Sequence, residues 1–170
     1  MSLQENNSLK IEDKLKQLGL ILPEPQKLPP GINFLFLFVR VRGNRVYISG
    51  HVPLNPDGTI AHPLGKVGAD LSLDEGYHAA RLTALSILAS LKRELGELDR
   101  IVAWLRVFGM VNSAPGFIQQ PKVINGFSDL ILNLYGPEKG FHARSAVGMA
   151  ELPNGIPVEI EAEVEIEIID

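Results

Sequence analysis

The chain has 170 residues, of which 45% are hydrophobic and 21% are charged, and its formal net charge is −4. A chain of this size and composition suits one soluble domain with a sizeable core. The acidic balance and the lack of a Lys/Arg cluster argue against a nucleic-acid partner, and the absence of cysteine excludes disulfides, Cys-ligated metals and thiol nucleophiles.

The N-terminal part of the chain predicts an extension ahead of a single folded domain. A short helix is expected to begin at Ser8 and end at Gly19, and a proline-rich connector follows from Leu22 to Gly31. The extension then comprises residues 1–32 and the domain residues 33–170. No apolar signal segment and no stretch of ~20 apolar residues is present, so we expect a cytoplasmic protein without a membrane partner.

The first half of the domain predicts a β-hairpin followed by a long helix. Phe34 to Arg42 and Arg45 to Gly50 are rich in aromatic and branched residues, and Gly43-Asn44 between them is a two-residue turn. Ser72 to Glu75 is a capping box that opens a helix. Seven residues then recur every three or four positions and predict one buried stripe that ends at Gly96. They are Leu73, Tyr77, Ala80, Ala84, Leu88, Leu91 and Leu95.

The second half of the domain predicts a strand, a helix and a closing hairpin. Ile101 to Val111 is an almost continuous apolar run, which is typical of a central, covered strand. Pro121 suits the first turn of the helix, and Gly136-Pro137 is expected to end it. Ala143 to Leu152 and Val158 to Ile168 are then predicted as two strands joined by a turn.

The last predicted strand alternates regularly between apolar residues and glutamates, so five like charges share one face of the sheet. Arginines in other predicted strands are expected to offset this charge. These arginines are Arg40, Arg42, Arg106 and Arg144. Because two helices cover only one face of a sheet, we expect the other face to pack against copies of the same chain.

Several segments resemble the RidA/YjgF family. Ala143 to Val147, Leu152-Pro153 and Val158 to Ala162 are similar to its C-terminal signature. Tyr47 to Asn55 resembles its Ser-Gly-Gln-hydrophobic-Pro strand end. The similarity runs from about Phe34 to the C-terminus.

Three further segments resemble a longer subfamily that is usually labelled endoribonuclease L-PSP or chorismate-mutase-like. They are Gly65 to Asp70, Val111 to Phe117 and Gln120 to Gly126. The resemblance implies an α/β (α+β) fold of the chorismate-mutase-like type, with a mixed β-sheet and two helices packed on one face. It also implies a homotrimer with clefts between its subunits. In the family these clefts bind small carboxylates, and the best-known reaction is hydrolysis of 2-imino acids to 2-keto acids and ammonia, for which we expect no cofactor.

The resemblance assigns roles to six residues. Arg144 aligns with the arginine that binds the substrate carboxylate, and Glu159 aligns with the glutamate that orients water, so both are catalytic candidates. The substrate-binding candidates besides Arg144 are Ser49, Gly50, Asn125 and Ala146. Two positions depart from the family pattern: Phe36 replaces a frequent tyrosine, and Ala146 replaces a frequent cysteine.

Each of these residues also has a purely structural interpretation. Arg144 is equally suited to neutralising the glutamate face, and Glu159 is one of five alternating glutamates that are usually solvated or paired. Ser49-Gly50 is an ordinary strand end, and Asn125 is an ordinary helix-cap or surface amide. The family motif favours the ligand role for Arg144.

No other group of residues in the sequence predicts a catalytic or metal-binding site. The four histidines, His51, His62, His78 and His142, have no metal-ligand spacing, so we predict no metal site. His142 lies near Arg144 and could line the cleft, although a loop histidine is the plainer interpretation.

Three functions follow in order. The first is an enamine/imine deaminase acting on a 2-imino acid. The second is a non-catalytic, regulatory trimer that binds a 2-keto acid or another carboxylate in the same cleft. An endoribonuclease ranks third, because the chain shows no basic groove or stacking platform for RNA.

Overall fold

The computed structural model describes residues 9–168, in which five strands form one mixed sheet with helices on one face. The strands are β1 (Val39–Arg42), β2 (Arg45–His51), β3 (Ile101–Asn112), β4 (Ala143–Met149) and β5 (Val158–Ile166). The helices are α1 (Ile11–Gln17), α2 (Leu73–Leu95) and α3 (Gln120–Gly140). The strand order is β1-β2-β5-β3-β4, with β3 and β4 parallel and the other neighbouring pairs antiparallel. Within residues 9–168, no helix has the length and apolarity needed to cross a membrane.

The predicted fold class is confirmed, but the closing hairpin is wrong. Instead of pairing with β5, β4 returns from α3 as an edge strand parallel to β3, while β5 enters between β2 and β3. The apolar residues of β5 explain its position, because Val158, Ile160 and Val164 are fully buried and require neighbours on both sides. The prediction that β3 is an inner strand is confirmed.

The predicted long helix is confirmed from cap to cap. The hydroxyl of Ser72 accepts the backbone N–H of Glu75 at 3.2 Å, and the Glu75 carboxylate accepts the N–H of Ser72 at 2.8 Å. The apolar stripe of this helix, α2, packs with α3 against the same face of the sheet and forms the main core. Trp104 and Phe127 meet edge to face in that core, with ring centroids 5.6 Å apart.

The first strand begins later than predicted. The segment from Phe34 to Phe38 is not part of β1, because its phenyl rings pack against one another, with the Phe34 and Phe38 centroids 4.9 Å apart, instead of alternating across a sheet. The expected stop of the second long helix at Gly136-Pro137 is confirmed by a break in helical conformation at Gly136, where φ is 71° and ψ is 175°, and a further helical turn carries α3 on to Gly140. Ser8, the expected start of the first helix, lies outside the described residues, and Lys10 occupies the N-cap of α1.

The described part of the extension packs onto the domain. Ile11 and Leu15 of α1 are buried in the main core, and the Glu12 carboxylate accepts hydrogen bonds from Lys92 Nζ at 2.6 Å and from the Leu98 N–H at 3.0 Å. Further along, the backbone N–H groups of residues 24 and 27 bond to carbonyls of the turn around Gly58. The connector is thereby held beside the last turns of α2, where it forms one wall of a cavity.

The second face of the sheet carries no helix and bears charged side chains of both signs. The register places Glu159, Glu161, Glu163 and Glu165 of β5 on this face, together with Phe108 and Met110 of β3. Arg106 lies directly opposite Glu163, and Arg45 lies opposite Glu165. We call this surface the open face.

Candidate functional site

Arg144 lies on the helix-covered side of the edge strand β4. In the parallel pairing of β3 and β4 it is opposite Val107, whose side chain is fully buried in the main core. Its guanidinium is partly buried against the first turns of α3. There Nη1 donates to Asn125 Oδ1 and to Ser128 Oγ, both at 3.0 Å, and Nη2 approaches the Pro121 carbonyl at 3.4 Å.

The contacts of Arg144 are all to neutral groups. Among residues 9–168, no carboxylate lies within 4.0 Å of its guanidinium. Burial lowers the pKa of Arg144, and the more distant charge of Asp129 acts in the opposite direction. A fixed, partly desolvated guanidinium without a counter-ion is the arrangement that favours an anionic ligand.

A chain of hydrogen bonds holds the arginine from behind. His142 Nδ1 is 2.7 Å from the Gly140 carbonyl, which can only accept, so Nδ1 carries the proton and Nε2 accepts from the Ser128 hydroxyl at 3.0 Å. Ser128 in turn accepts from Arg144. Burial lowers the pKa of His142, and the positive charge of Arg144 lowers it further, so the neutral ring that this chain requires is the stable form at neutral pH.

A second group of candidate residues gathers where β2 ends. The side of Gly50 on which a Cβ would project is occupied by the Glu159 carboxylate, so only glycine leaves room for that carboxylate. Burial raises the pKa of Glu159, and the neighbouring charge of Glu161 raises it further. The carboxyl group is thus a better proton acceptor than an ordinary surface glutamate.

An irregularity in β2 shapes this second group. The pairing with β5 shifts between Ile48 and His51, as in a β-bulge. The Ser49 N–H donates to the Phe38 carbonyl at 3.0 Å, and the Ser49 hydroxyl donates to the Leu37 carbonyl at 2.7 Å. The hydroxyl therefore keeps its acceptor lone pairs for another donor, while the bulge turns His51 towards the core.

The two groups are separated within one chain. Asn125 and Ala146 lie on the same side of the sheet as Arg144, whereas Glu159 lies on the open face, beside Gly50 and Ser49. The sequence-predicted residues thus form two half-sites: an arginine half-site on β4 and α3, and a glutamate half-site at the end of β2 and on β5.

The position of Arg144 argues against the alternative interpretation, in which it neutralises the glutamates of β5. The guanidinium does not point at the glutamates of β5, because it lies on the opposite side of the sheet. The glutamates instead have Arg45 and Arg106 as their cross-strand neighbours.

Two contributors to the arginine half-site were not identified as such from the sequence. Ser128 follows Asn125 by three residues, so both lie on one face of α3, but a single serine in a mostly apolar helix gives no signal of its own. His142 was considered as a lining residue, and the structure gives it a definite contact, the hydrogen bond to Ser128.

Comparison with known proteins matches most of the chain. A family model described as YjgF/chorismate mutase-like, putative endoribonuclease, matches residues 13–155. The chain is 39% identical over 157 residues to Protein TCP17 of Trypanosoma cruzi. The aligned segment covers 92% of this chain and 94% of that protein.

Two solved structures are similar in sequence and in fold. The crystal structure of Atu1372 from Agrobacterium tumefaciens, a protein of unknown function, is 41% identical, with a TM-score of 0.81 and coverage of 93% of this chain and 92% of that one. A putative endoribonuclease from Shewanella oneidensis is 32% identical, with a TM-score of 0.83 and coverage of 93% and 100%.

Proposed function

The chain belongs to the YjgF/chorismate mutase-like family, and we propose that it is an enamine/imine deaminase that binds a small carboxylate metabolite between the subunits of a homotrimer. The substrate class is a 2-imino acid, which is hydrolysed to a 2-keto acid and ammonia. The observation that carries this proposal is Arg144, whose guanidinium is fixed by Asn125 and Ser128 and has no carboxylate partner within 4.0 Å among the described residues.

Substrate binding would rest on the arginine half-site. A guanidinium can hold a carboxylate by two parallel N–H bonds, and the contacts of Arg144 to neutral oxygens fix its orientation without cancelling its charge. Asn125 uses its carbonyl oxygen on the arginine, which leaves its amide N–H groups for the ligand.

The chemical step would rest on Glu159. Water adds to C2 of the protonated imine and gives up a proton to the Glu159 carboxylate. That proton then passes to the nitrogen, the hydroxyl group on C2 gives its own proton to the freed Glu159 carboxylate, and the C2–N bond breaks to leave ammonia and a keto group at C2. The raised pKa of Glu159 supports this role. A carboxylate with a higher pKa accepts the proton of water more readily, and the carboxylic acid formed can still return that proton to the nitrogen.

The separation of the half-sites supports placing the reaction between subunits. A single chain presents Arg144 and Glu159 on opposite sides of its sheet, so one substrate can contact both only if a second copy contributes one of them. The open face, with its apolar residues Phe108 and Met110 among charged ones, is a surface suited to such packing.

The test is ammonia release from 2-imino acids freshly generated by an amino acid oxidase. We expect the wild type to release ammonia above the buffer rate and Arg144→Met to lose this activity while its oligomeric state is unchanged. Arg81→Met, which removes a partly buried arginine of α2 outside both half-sites, is the matched control and should stay active. A wild type that gives no rate above buffer across several imino acids would exclude the deaminase.

One observation favours a binding protein without turnover as the second candidate. Phe36, the counterpart of a frequent tyrosine in the family, packs on Phe38 with ring centroids 5.3 Å apart and offers no polar atom to a substrate. Saturable thermal stabilisation by a 2-keto acid, without ammonia release from any imino acid, would support this candidate.

A further inference from the structure

An unassigned cavity lies on the helix-covered side of the sheet, away from the open face and from Arg144. It has a volume of about 360 Å³, which falls within the ~300–1,000 Å³ typical of small-molecule pockets. The connector, the phenylalanine segment before β1, the end of β2 and the last turns of α2 enclose it. Its apolar wall includes Leu28, Phe34, Phe38 and Leu54.

The polar side of the cavity is a chain of hydrogen bonds that ends in an arginine. His51 Nδ1 is 2.7 Å from the Ser49 carbonyl and therefore carries the proton, so His51 Nε2 accepts from the Ser90 hydroxyl at 2.9 Å. Ser90 accepts from Arg93 Nη2 at 3.2 Å. The same order of groups, arginine to serine to neutral histidine to carbonyl, fixes Arg144 at the candidate cleft.

Arg93 is held at the cavity mouth without a close counter-ion. Its Nη1 donates to the Pro23 carbonyl at 3.1 Å, and a guanidinium has more N–H donors than these two acceptors use. Among residues 9–168, the ion pairs within 4.0 Å do not include Arg93. Glu94 also lines the mouth, and Glu24 is close enough to act on Arg93 through space, so an anionic ligand would compete with two carboxylates.

We propose that this cavity is a second small-molecule site, distinct from the candidate cleft, which takes a carboxylic acid with an apolar body such as an aryl-alkanoate. The apolar body would pack against Phe34, Phe38 and Leu54 inside the cavity, and the carboxylate would bind the free N–H groups of Arg93 at the mouth. The polar side of the cavity needs no hydrogen bond from the ligand, because His51 and Ser90 already bond to each other. The inference does not depend on the proposed deaminase, since it uses other residues.

The test is calorimetric titration with 3-phenylpropionate and with its neutral counterpart, 3-phenylpropan-1-ol. It is run on Arg144→Met, in which the candidate cleft lacks its arginine. We expect one acid molecule to bind per chain and the alcohol to bind about tenfold more weakly, because it lacks the charge-assisted contact. Adding Arg93→Met should reduce the acid to the affinity of the alcohol, whereas Glu94→Gln should strengthen binding of the acid alone.

A second variant keeps the test decisive if Arg93→Met or Arg144→Met fails to fold. Leu28→Trp in the otherwise native chain fills the cavity from the connector wall and should weaken acid and alcohol alike. The proposal is overturned if Arg144→Met shows no saturable binding of the acid, if acid and alcohol bind equally, or if Leu28→Trp binds both as the native chain does. None of these results bears on whether the protein hydrolyses imino acids.

Discussion

The Glu159 carboxylate lies against the Cα of Gly50, in the space that a side chain at position 50 would fill. Gly50, near the end of β2, thereby leaves room for a carboxylate of the neighbouring strand β5. The candidate base is thus placed by a close backbone approach that glycine alone permits.

Gly50→Ala should therefore damage activity more than stability. The added methyl group must displace the Glu159 carboxylate, and misplacing a catalytic group by ~1 Å can cost about 100-fold in rate. The measurement is ammonia release beside a thermal unfolding curve. Full activity in a well-folded Gly50→Ala protein would show that the position of Glu159 does not matter.

The pH dependence of the reaction should report Glu159. The carboxylate is the active form, so activity should rise with pH through the pKa of Glu159, which burial and the charge of Glu161 raise above the ordinary glutamate value. Glu159→Gln should lower the rate by about 100-fold or more, as expected for loss of a general base. Glu161→Gln should stay active and move the acidic limb of the pH–rate profile to lower pH. An unmoved limb would contradict the assignment.

Asn125→Asp should weaken anion binding more than Asn125→Ala. The new carboxylate would pair with Arg144 and occupy the guanidinium that we assign to the ligand, whereas alanine removes a single hydrogen bond. We expect the dissociation constant for 2-oxobutanoate to rise about fivefold in Asn125→Ala and at least about tenfold in Asn125→Asp. Calorimetric titration checks both values, and equal effects would indicate that charge at this position is irrelevant.

His51 should make the folded protein sensitive to acid. Burial lowers its pKa from 6.5 to about 4, so the unfolded chain binds a proton at a pH where the folded chain does not. The free energy of unfolding should then fall as pH drops from about 6.5 towards 4, by up to ~3 kcal/mol from this residue. Urea unfolding at several pH values checks this. His51→Gln should flatten the dependence, and His62→Gln, at an exposed position, should leave it unchanged.

Local features of the structure were predictable from the sequence, and non-local ones were not. The capping box and stripe of α2 lie within one helix, so spacing alone predicted them. The insertion of β5 between β2 and β3 depends on pairing between segments that are far apart in the chain, which no local pattern records. The sequence predicted both β4 and β5, but the prediction that they pair directly as a hairpin was wrong.

The same distinction holds for the candidate site. The family resemblance assigned Arg144 and Asn125 to the same pocket, and in the structure Arg144 Nη1 lies 3.0 Å from Asn125 Oδ1. That Arg144 and Glu159 lie on opposite sides of the sheet follows only from the register of β3 with β4 and β5, which the alternation of either strand alone does not determine.

Mixing two inactive variants tests most directly whether the site is shared between copies. Arg144→Met and Glu159→Gln are each expected to be inactive, and they are unfolded and refolded together in equal amounts. If one copy supplies the arginine and the next the glutamate, about a quarter of the sites in randomly assembled trimers are intact, and ammonia release should return to about a quarter of the wild-type rate. A mixture that reassembles and stays as inactive as its components would contradict a site built from two chains.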